Sequence, residues 1–193
     1  MQPQPARRLL APLLAAAVLV AAVAGLSGAA AAPADEPSRE HASARAAYLY
    51  SFLGYIEWPS RAFALTDSPL VIGVLDAEPV AAELLLTTLG RNINNRPVAI
   101  RRLNAGDSLE DIHLLYIGPG DAEQVQGVIR QVPQRWTVTV TDDAQAQPLG
   151  GVINFRDSSG RLRFDVSQAT AERGDFKLSS RLLSLAIVHQ GQN

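Results

Sequence analysis

The chain has 193 residues, with 17 basic and 19 acidic side chains and a formal net charge of −2. This balance excludes a protein built to bind nucleic acid or an anionic membrane surface, because both select for clustered positive charge. The chain has no cysteine, which excludes disulfides, thiolate metal sites and a cysteine nucleophile. The fold must therefore rest on its hydrophobic core alone.

Residues 1–31 have the three-part pattern of a secretory signal peptide. Arg7 and Arg8 precede an uncharged run rich in Ala, Leu and Val, and small residues follow up to Ala31. An uncharged run of this length could also span a bilayer, but Pro12 and the Ala-x-Ala ending favour cleavage near Ala32. We predict the general secretion route, although paired arginines also fit the twin-arginine route. Without Arg7 and Arg8, 15 basic residues face 19 acidic ones, a net charge of −4.

Residues 32–38 are rich in Pro, Ala, Asp and Glu, which predicts a flexible linker. The remaining residues, 39–193, have the length of a single domain. Within it, the stretch Ser43–Pro59 predicts a helix that is buried on one broad face, because its apolar residues recur at intervals of three and four. That stripe consists of Ala42, Ala46, Leu49, Leu53 and Ile56.

Pro59 is predicted to end this helix, since the residue before a proline avoids helical backbone angles. Trp58 then lies at the exit of the helix. Its side chain has a large apolar body and one polar N–H, so we interpret it as a plug at the core's edge or, alternatively, as a partner contact.

The rest of the chain alternates short apolar runs with amphipathic stretches. The predicted strands are residues 69–75, 97–103, 112–117, 136–140, 152–155 and 162–166, and the further predicted helices are residues 79–89, 121–132 and 181–190. This order predicts an α/β fold, a single three-layer sandwich with a mostly parallel sheet, an antiparallel edge hairpin and flanking helices. The turn Asp157–Gly160 joins the last two strands as a hairpin.

Several acids follow predicted parallel strands, namely Asp76, Asp121 and the pair Asp142 and Asp143. Such acids can converge at one end of a sheet, as in the magnesium site of a receiver domain. Gly118 stands where that site needs its phospho-acceptor aspartate, so we interpret the acids as helix N-caps and turn residues. Replacing Asp143 with alanine should therefore have a mild effect on stability, and replacing Asp142 and Asp143 together should leave the function intact.

Other residues that could carry chemistry have simpler structural interpretations. His113 lies in an apolar strand, where a hydrogen-bonded core histidine is the usual finding. Gly118–Asp121 opens a helix but lacks a phosphate-binding glycine pattern, and Ser179 and Ser180 fit a helix N-cap. We therefore predict a non-enzymatic protein with no catalytic residue, no bound cofactor and no metal site.

Three arginines mark the predicted hairpin. Arg156, Arg161 and Arg163 occupy alternating or cross-strand positions, so their guanidinium groups can share one face. Charged residues at a sheet edge discourage aggregation, and arginines also anchor protein interfaces. We predict a partner-binding surface made of these arginines together with Trp58.

Motifs spread along the chain resemble, in order and spacing, those of the YfiR-like family of periplasmic regulatory proteins. They are Ala46–Pro59, Ile72–Leu75, Arg96–Val98, His113–Ile117, Thr137–Thr139, Gly150–Phe155, Arg161–Val166 and Leu178–Ala186. The resemblance implies a periplasmic, non-enzymatic regulator. Its best-known members restrain a membrane-bound diguanylate cyclase by binding its periplasmic portion, which keeps cyclic di-GMP low and biofilm formation off.

Two residues depart from the family pattern. Ile112 stands where many relatives have a cysteine, and Ala146 lies near the position of a common aromatic residue. Control by disulfide redox therefore cannot operate in this chain.

The implied partner is the periplasmic portion of an inner-membrane signalling protein. A homodimer is compatible with the sequence, whereas nucleic acid and direct membrane insertion after cleavage are not expected. A second hypothesis is a periplasmic receptor for a small molecule or cell-wall fragment, with its ligand at the carboxyl ends of the sheet. A hydrolase is the weakest alternative, because the sequence assembles no nucleophile, base and orienting group.

Overall fold

The computed structural model describes residues 36–133, 135–142 and 151–186. The predicted signal peptide 1–31, linker residues 32–35, Asp143, Ala146 and the end of the predicted last helix lie outside them. Among the described helices, none has the length and apolar character needed to cross a membrane. The elements in chain order are α1 (Glu36–Leu53), β1 (Ile56–Glu57), β2 (Leu70–Leu75), α2 (Glu78–Thr88), β3 (Asn92–Ile93), β4 (Arg96–Leu103), β5 (Leu114–Ile117), α3 (Ala122–Gln131), β6 (Val138–Thr141), β7 (Ile153–Ser158), β8 (Arg161–Val166), α4 (Gln168–Ala171), β9 (Lys177–Leu178) and α5 (Ser180–Leu185).

The main sheet has the strand order β3-β4-β2-β5-β6-β7-β8. Strands β4, β2, β5, β6 and β7 are parallel to their neighbours, whereas β3 and β8 pair antiparallel at the two edges. The predicted α/β fold with a mostly parallel sheet and an antiparallel edge hairpin is confirmed.

The sheet is buried on both faces, which explains why its central strands are almost wholly apolar. Alternate residues of β2 and β5, such as Ile72 and Leu114, pack with α1 and α2. The intervening residues of the same strands, such as Leu75 and Leu115, lie on the other face of the sheet. They pack with Val125 and the other inward-facing residues of α3. The predicted three layers are thus helix, sheet and helix.

Helix α1 buries the face that its periodicity predicts. All five residues of the stripe are buried, and Phe52 joins them. Two aromatic side chains of the hairpin meet this face: Phe155 and Phe164 each contact both Tyr48 and Phe52, at ring-centroid distances of 5.0 to 5.9 Å. The aromatic cluster fixes β7 and β8 against α1.

The prediction that this helix continues to Pro59 is wrong. The helix ends at Leu53, and Gly54 donates its N–H to the carbonyl of Ser51 at 3.1 Å, a tight bond that closes the last turn. Ile56–Glu57 then pairs with β9 as a small antiparallel sheet. Pairing with β9 provides hydrogen-bond partners for the backbone of β1, and the side chain of Ile56 remains buried in the core.

Other boundaries also differ from the predictions. Helix α1 begins at Glu36, so the last residues of the predicted linker are helical. Strand β6 begins at Val138 because Trp136 has a left-handed backbone with φ of 68°. Helix α5 ends at Leu185, where Ala186 turns to an extended conformation, and its predicted cap is correct, because Ser179 Oγ accepts from the N–H of Leu182.

Candidate functional site

The hairpin β7-β8 brings the three predicted arginines onto one face. Arg156 is directly opposite Arg163 on the neighbouring strand. Arg161 lies two residues before Arg163 in β8, so its side chain is on the same face. The turn residues Ser159 and Gly160 both have positive φ, 54° and 71°, as in the two-residue turns that match the twist of a hairpin. The short turn fixes the register, and the register fixes which side chains share a face.

The three arginines are not equivalent. Arg156 is half-buried, and its Nε donates to the carboxylate of Asp165, which is buried. Arg161 and Arg163 are exposed, and no carboxylate of the described residues lies within ion-pair distance of either. Arg156 therefore has a structural role that Arg161 and Arg163 do not share among the described residues.

Trp58 lies elsewhere. Its indole N–H donates to the carbonyl of Trp136 at 2.7 Å, and its ring meets His113 edge-on at 5.9 Å. These contacts place it at the amino ends of the parallel strands, whereas Arg161 follows the hairpin turn at the opposite end of the sheet. The structure therefore does not join Trp58 to the arginines in one surface. The contacts of Trp58 match the first interpretation, a partly buried side chain that closes the edge of the core.

His113 is a hydrogen-bonded core histidine, as predicted. Its Nδ1 accepts from the N–H of Val71 at 3.2 Å, so Nε2 carries the proton and donates to the carbonyl of Ala62 at 3.1 Å. Its ring stacks on Phe63, and Arg96 lies over the same phenyl ring, 3.6 Å from its centroid. Burial, with a smaller contribution from Arg96, lowers the pKa of His113, so the imidazole is neutral.

Trp136 is held in its unusual conformation from three directions. A bulky residue rarely adopts a positive φ, yet its N–H donates to the carbonyl of Gly174 at 2.8 Å and its indole N–H donates to Asp175 at 3.1 Å. Its carbonyl accepts from Trp58. Asp175 also forms a two-pronged ion pair with Arg61, and these bonds hold its pKa below the usual range.

Two open cavities flank Arg61 at this end of the sheet. One has a volume of about 430 Å³ and is lined by Phe63, His113, Arg135 and Trp136 among others. The other has a volume of about 490 Å³ and lies against Trp58 and Asp175. The receptor hypothesis placed its ligand at the carboxyl ends of the strands, whereas these cavities lie at the amino ends.

The acids at the carboxyl ends of the strands serve the fold. Asp121 caps α3 by accepting from the N–H of Gln124 at 2.8 Å, and Asp76 occupies a turn with φ of 53°. A side chain at Gly118 would meet the carbonyl of Asp76 at 2.4 Å, so this position has no room for a phospho-acceptor. Across the described ranges, no three His, Cys, Asp or Glu side chains are grouped as a metal would need.

The interpretation of these acids as helix N-caps and turn residues is wrong for Asp142. Its side chain is only 6% exposed, and one oxygen accepts from Arg45 Nε and from the Tyr116 hydroxyl, each at 2.7 Å. Burial, together with the adjacent carboxylate, raises the pKa of Tyr116 well above its usual range. The network ties α1 to the ends of β5 and β6, and removing the carboxylate would leave Arg45 without its counter-ion.

One comparison with known proteins gives an assignment. A search among curated proteins finds no match. A family model, however, matches residues 42–187, about three quarters of the chain, which includes most of α1, the whole main sheet and the hairpin. The chain therefore belongs to the YfiR/HmsC-like family.

Proposed function

We propose that this protein is a periplasmic, non-enzymatic regulator that binds and restrains a membrane-anchored diguanylate cyclase and so lowers cyclic di-GMP. Membership of the YfiR/HmsC-like family suggests a periplasmic regulator of cyclic di-GMP signalling. The signal-peptide pattern of residues 1–31 supports export. The cyclase as direct partner is the specific part of the proposal.

The observation that carries the proposal is the pair Arg161 and Arg163. They are exposed, they have no acidic partner among the described residues, and they lie on a hairpin that aromatic contacts fix to α1. Arginines anchor interfaces because the guanidinium group binds carboxylates with two parallel hydrogen bonds. A rigid surface whose guanidinium groups pair with no described carboxylate fits an acidic segment of a partner protein.

The internal chemistry of the domain also favours binding over catalysis. The buried histidine has both ring nitrogens engaged, and Asp142 is bonded to Arg45 and Tyr116. Asp121 is committed to capping α3. These titratable groups stabilise the fold, so none is poised as a base beside a nucleophile.

A genetic experiment tests the proposal. Deleting the gene should raise cyclic di-GMP, and deleting the partner cyclase as well should restore the original level. A periplasmic protein can change a cytoplasmic output only by binding two states of a membrane-spanning partner with different affinities, so its effect must vanish with that partner. Unchanged cyclic di-GMP in the single deletion would exclude a cyclase as the target.

The arginine surface is tested in the same strain. R161E/R163E should weaken repression, while R39E/R130E, which makes the same charge change at exposed positions of α1 and α3, should repress normally. Both variants must accumulate to the wild-type level. Equal repression by the two variants would remove the hairpin arginines from the interface.

The receptor hypothesis keeps one supporting observation. The cavity of about 430 Å³ combines the cations Arg61 and Arg135 with the aromatic rings of Phe63 and Trp136, a combination suited to an anionic ligand with an apolar part. Titrating the protein with a purified muropeptide should change tryptophan fluorescence if this site binds cell-wall fragments. R135E should then abolish the change.

A further inference from the structure

We propose that β8 is an open strand edge that takes up an extended segment of the partner as an added antiparallel or parallel strand. The segment would carry acidic side chains on the arginine face and apolar side chains on the other. This inference rests on the proposed function, because it specifies how the restrained partner is held. It adds main-chain pairing to the two guanidinium contacts.

The hydrogen-bond register of the hairpin shows which backbone groups of β8 point outward. Ser158 and Arg161 close the two-residue turn, and the N–H of Ser167 donates to the carbonyl of Val152 at 2.8 Å. In an antiparallel pair, bonded residues alternate along each strand. Odd-numbered residues of β8 therefore bond to β7, and Leu162, Phe164 and Val166 direct their N–H and C=O groups to the free edge.

Apart from its arginines, which would repel another basic strand but attract an acidic one, this edge lacks the usual features that block pairing. Strand β8 pairs residue for residue with β7 along its length, so it has no bulge, and it contains no proline. No described strand lies on its outer side. Among the described side chains, only Tyr48 bonds to an outward backbone group of β8: its hydroxyl donates to the carbonyl of Leu162 at 3.4 Å, a long hydrogen bond.

The opposite side of the sheet differs from this edge. There β3 pairs with the first residues of β4, one of which is Pro97, a residue with no backbone N–H to offer. The guanidinium of Arg101 donates to the carbonyls of Glu110 and Ser108, and Arg102 pairs with Glu78 at 3.1 Å. The arginines of β4 are thus engaged within the chain, whereas Arg161 and Arg163 of β8 are not paired with any described carboxylate.

The side chains of β8 define what would bind beside it. Residues directly opposite on neighbouring strands have Cβ atoms about 5 Å apart, so acids facing Arg161 and Arg163 would stand two residues apart. On the other face Leu162 and Val166 are half-buried beside the core, which favours apolar residues. A second copy fits less well, because the one acid that another β8 could offer is Asp165, which is buried and already bonded to Arg156.

Amide exchange provides a direct test. The probe is a synthetic peptide of about ten residues, the upper end of the usual strand lengths, that alternates glutamate and valine. The control has the same composition with all glutamates before all valines. With the alternating peptide, the amides of Leu162, Phe164 and Val166 in the purified exported chain should exchange at least about tenfold more slowly, while Arg161, Arg163 and Asp165 should be unchanged. Equal protection by both peptides, or none with the alternating one, would overturn the proposal.

Variants separate strand addition from simple charge attraction. L162P removes an outward N–H and no bond to β7, so it should weaken binding of the alternating peptide while Arg163 keeps its slow exchange, which shows that the hairpin is intact. R161E/R163E should abolish binding. If L162P with an intact hairpin binds the peptide normally, strand addition is wrong.

The outcomes also separate this inference from the proposed function. Loss of repression by R161E/R163E in cells, with unchanged exchange at the free edge, would overturn strand addition and support the regulator. Protected edge amides together with unchanged cyclic di-GMP in the deletion strain would support the strand-binding edge and overturn the cyclase as its target.

Discussion

Asp142 joins helix α1 to the end of β6 through a single carboxylate oxygen. Arg45 and Tyr116 both donate to that oxygen, so the carboxylate supplies the charge for one partner and the acceptor for the other. Removing one member of a buried ion pair costs more than the pair contributes, because the remaining charge is left desolvated. The residue is therefore a structural joint of this domain.

D142A should lower the free energy of unfolding by about 3 kcal/mol, measured by urea denaturation at pH 7. D121A provides the comparison, because it removes an exposed helix cap of α3 and should cost about 1 kcal/mol. Losses of equal size would show that the Arg45 and Tyr116 contacts add nothing beyond an ordinary cap.

His113 should make stability depend on pH. Its pKa is lowered in the folded protein, so below about pH 6.5, the unperturbed value, the unfolded chain binds a proton that the folded chain resists. Stability from this group is fully present above that pH and is lost as the pH falls towards the folded pKa. Arg96, across the ring of Phe63, opposes protonation, and Asp111 favours it.

Denaturation midpoints measured between pH 7.5 and 5.5 should therefore decrease with falling pH in the wild-type protein. H113Q, which cannot titrate, should be less stable at pH 7.5 and should show a flatter profile over this range. Parallel profiles would assign the pH dependence to other groups.

The sequence is informative about single residues where a local pattern decides their role. The capping roles of Asp121 and Ser179 can be predicted because each residue stands just before an apolar periodic stretch. The buried, hydrogen-bonded role of His113 can be predicted because it lies in an apolar strand. The Arg45–Asp142 pair has no such signal, because its members are 97 residues apart. Only the packing of α1 across the sheet brings them together.

Helix α1 packs against the hairpin β7-β8. Its aromatic side chains Tyr48 and Phe52 meet rings from β7 and β8, and the small residues Ala42 and Ala46 are fully covered. This explains why the helix has a wide apolar stripe. The same contacts hold the arginine face of the hairpin in a fixed position.

L53A should destabilise the protein by roughly 2 to 5 kcal/mol, the range for a buried leucine cut back to alanine. Leu53 is 0% exposed, whereas Leu86 on α2 is 71% exposed, so L86A should change stability by less than about 0.5 kcal/mol. Chemical denaturation of both variants measures the difference. A loss well under 1 kcal/mol for L53A would contradict the packing of α1 described here.

At the scale of elements, the long or strongly patterned segments are the ones that the sequence predicts. The buried strands β2 and β5 follow from continuous apolar runs, and the hairpin follows from its turn residues. The short pairing of β1 with β9 could not be predicted, because two-residue strands carry no periodic signal and the partners are far apart in the chain. That pairing is also why the predicted extent of the first helix is wrong.

Export concerns the whole molecule. The Ala-x-Ala ending before Ala32 predicts cleavage there, so intact-mass measurement of the periplasmic fraction should show a species that begins near Ala32. The family match supports a periplasmic setting without addressing the cleavage site. Recovery of the uncleaved chain from the membrane fraction would contradict cleavage and favour an N-terminal anchor.

The strength of regulation by the whole molecule is bounded by linkage. If the domain represses its partner tenfold, it must bind the inactive state at least about 1.4 kcal/mol more tightly than the active state. The same coupling acts in reverse, so the partner's periplasmic portion must stabilise this domain against unfolding in proportion to its occupancy.

The purified periplasmic portion of the proposed partner cyclase, locked in the inactive state, should therefore raise the melting temperature of this domain in a concentration-dependent way. The same fragment locked in the active state should need at least about tenfold higher concentration for an equal shift. R161E/R163E should require more of either fragment, because it weakens the arginine surface without touching the core. Identical titrations with the two locked fragments would mean that binding cannot shift the partner's equilibrium, and repression would then need another cause.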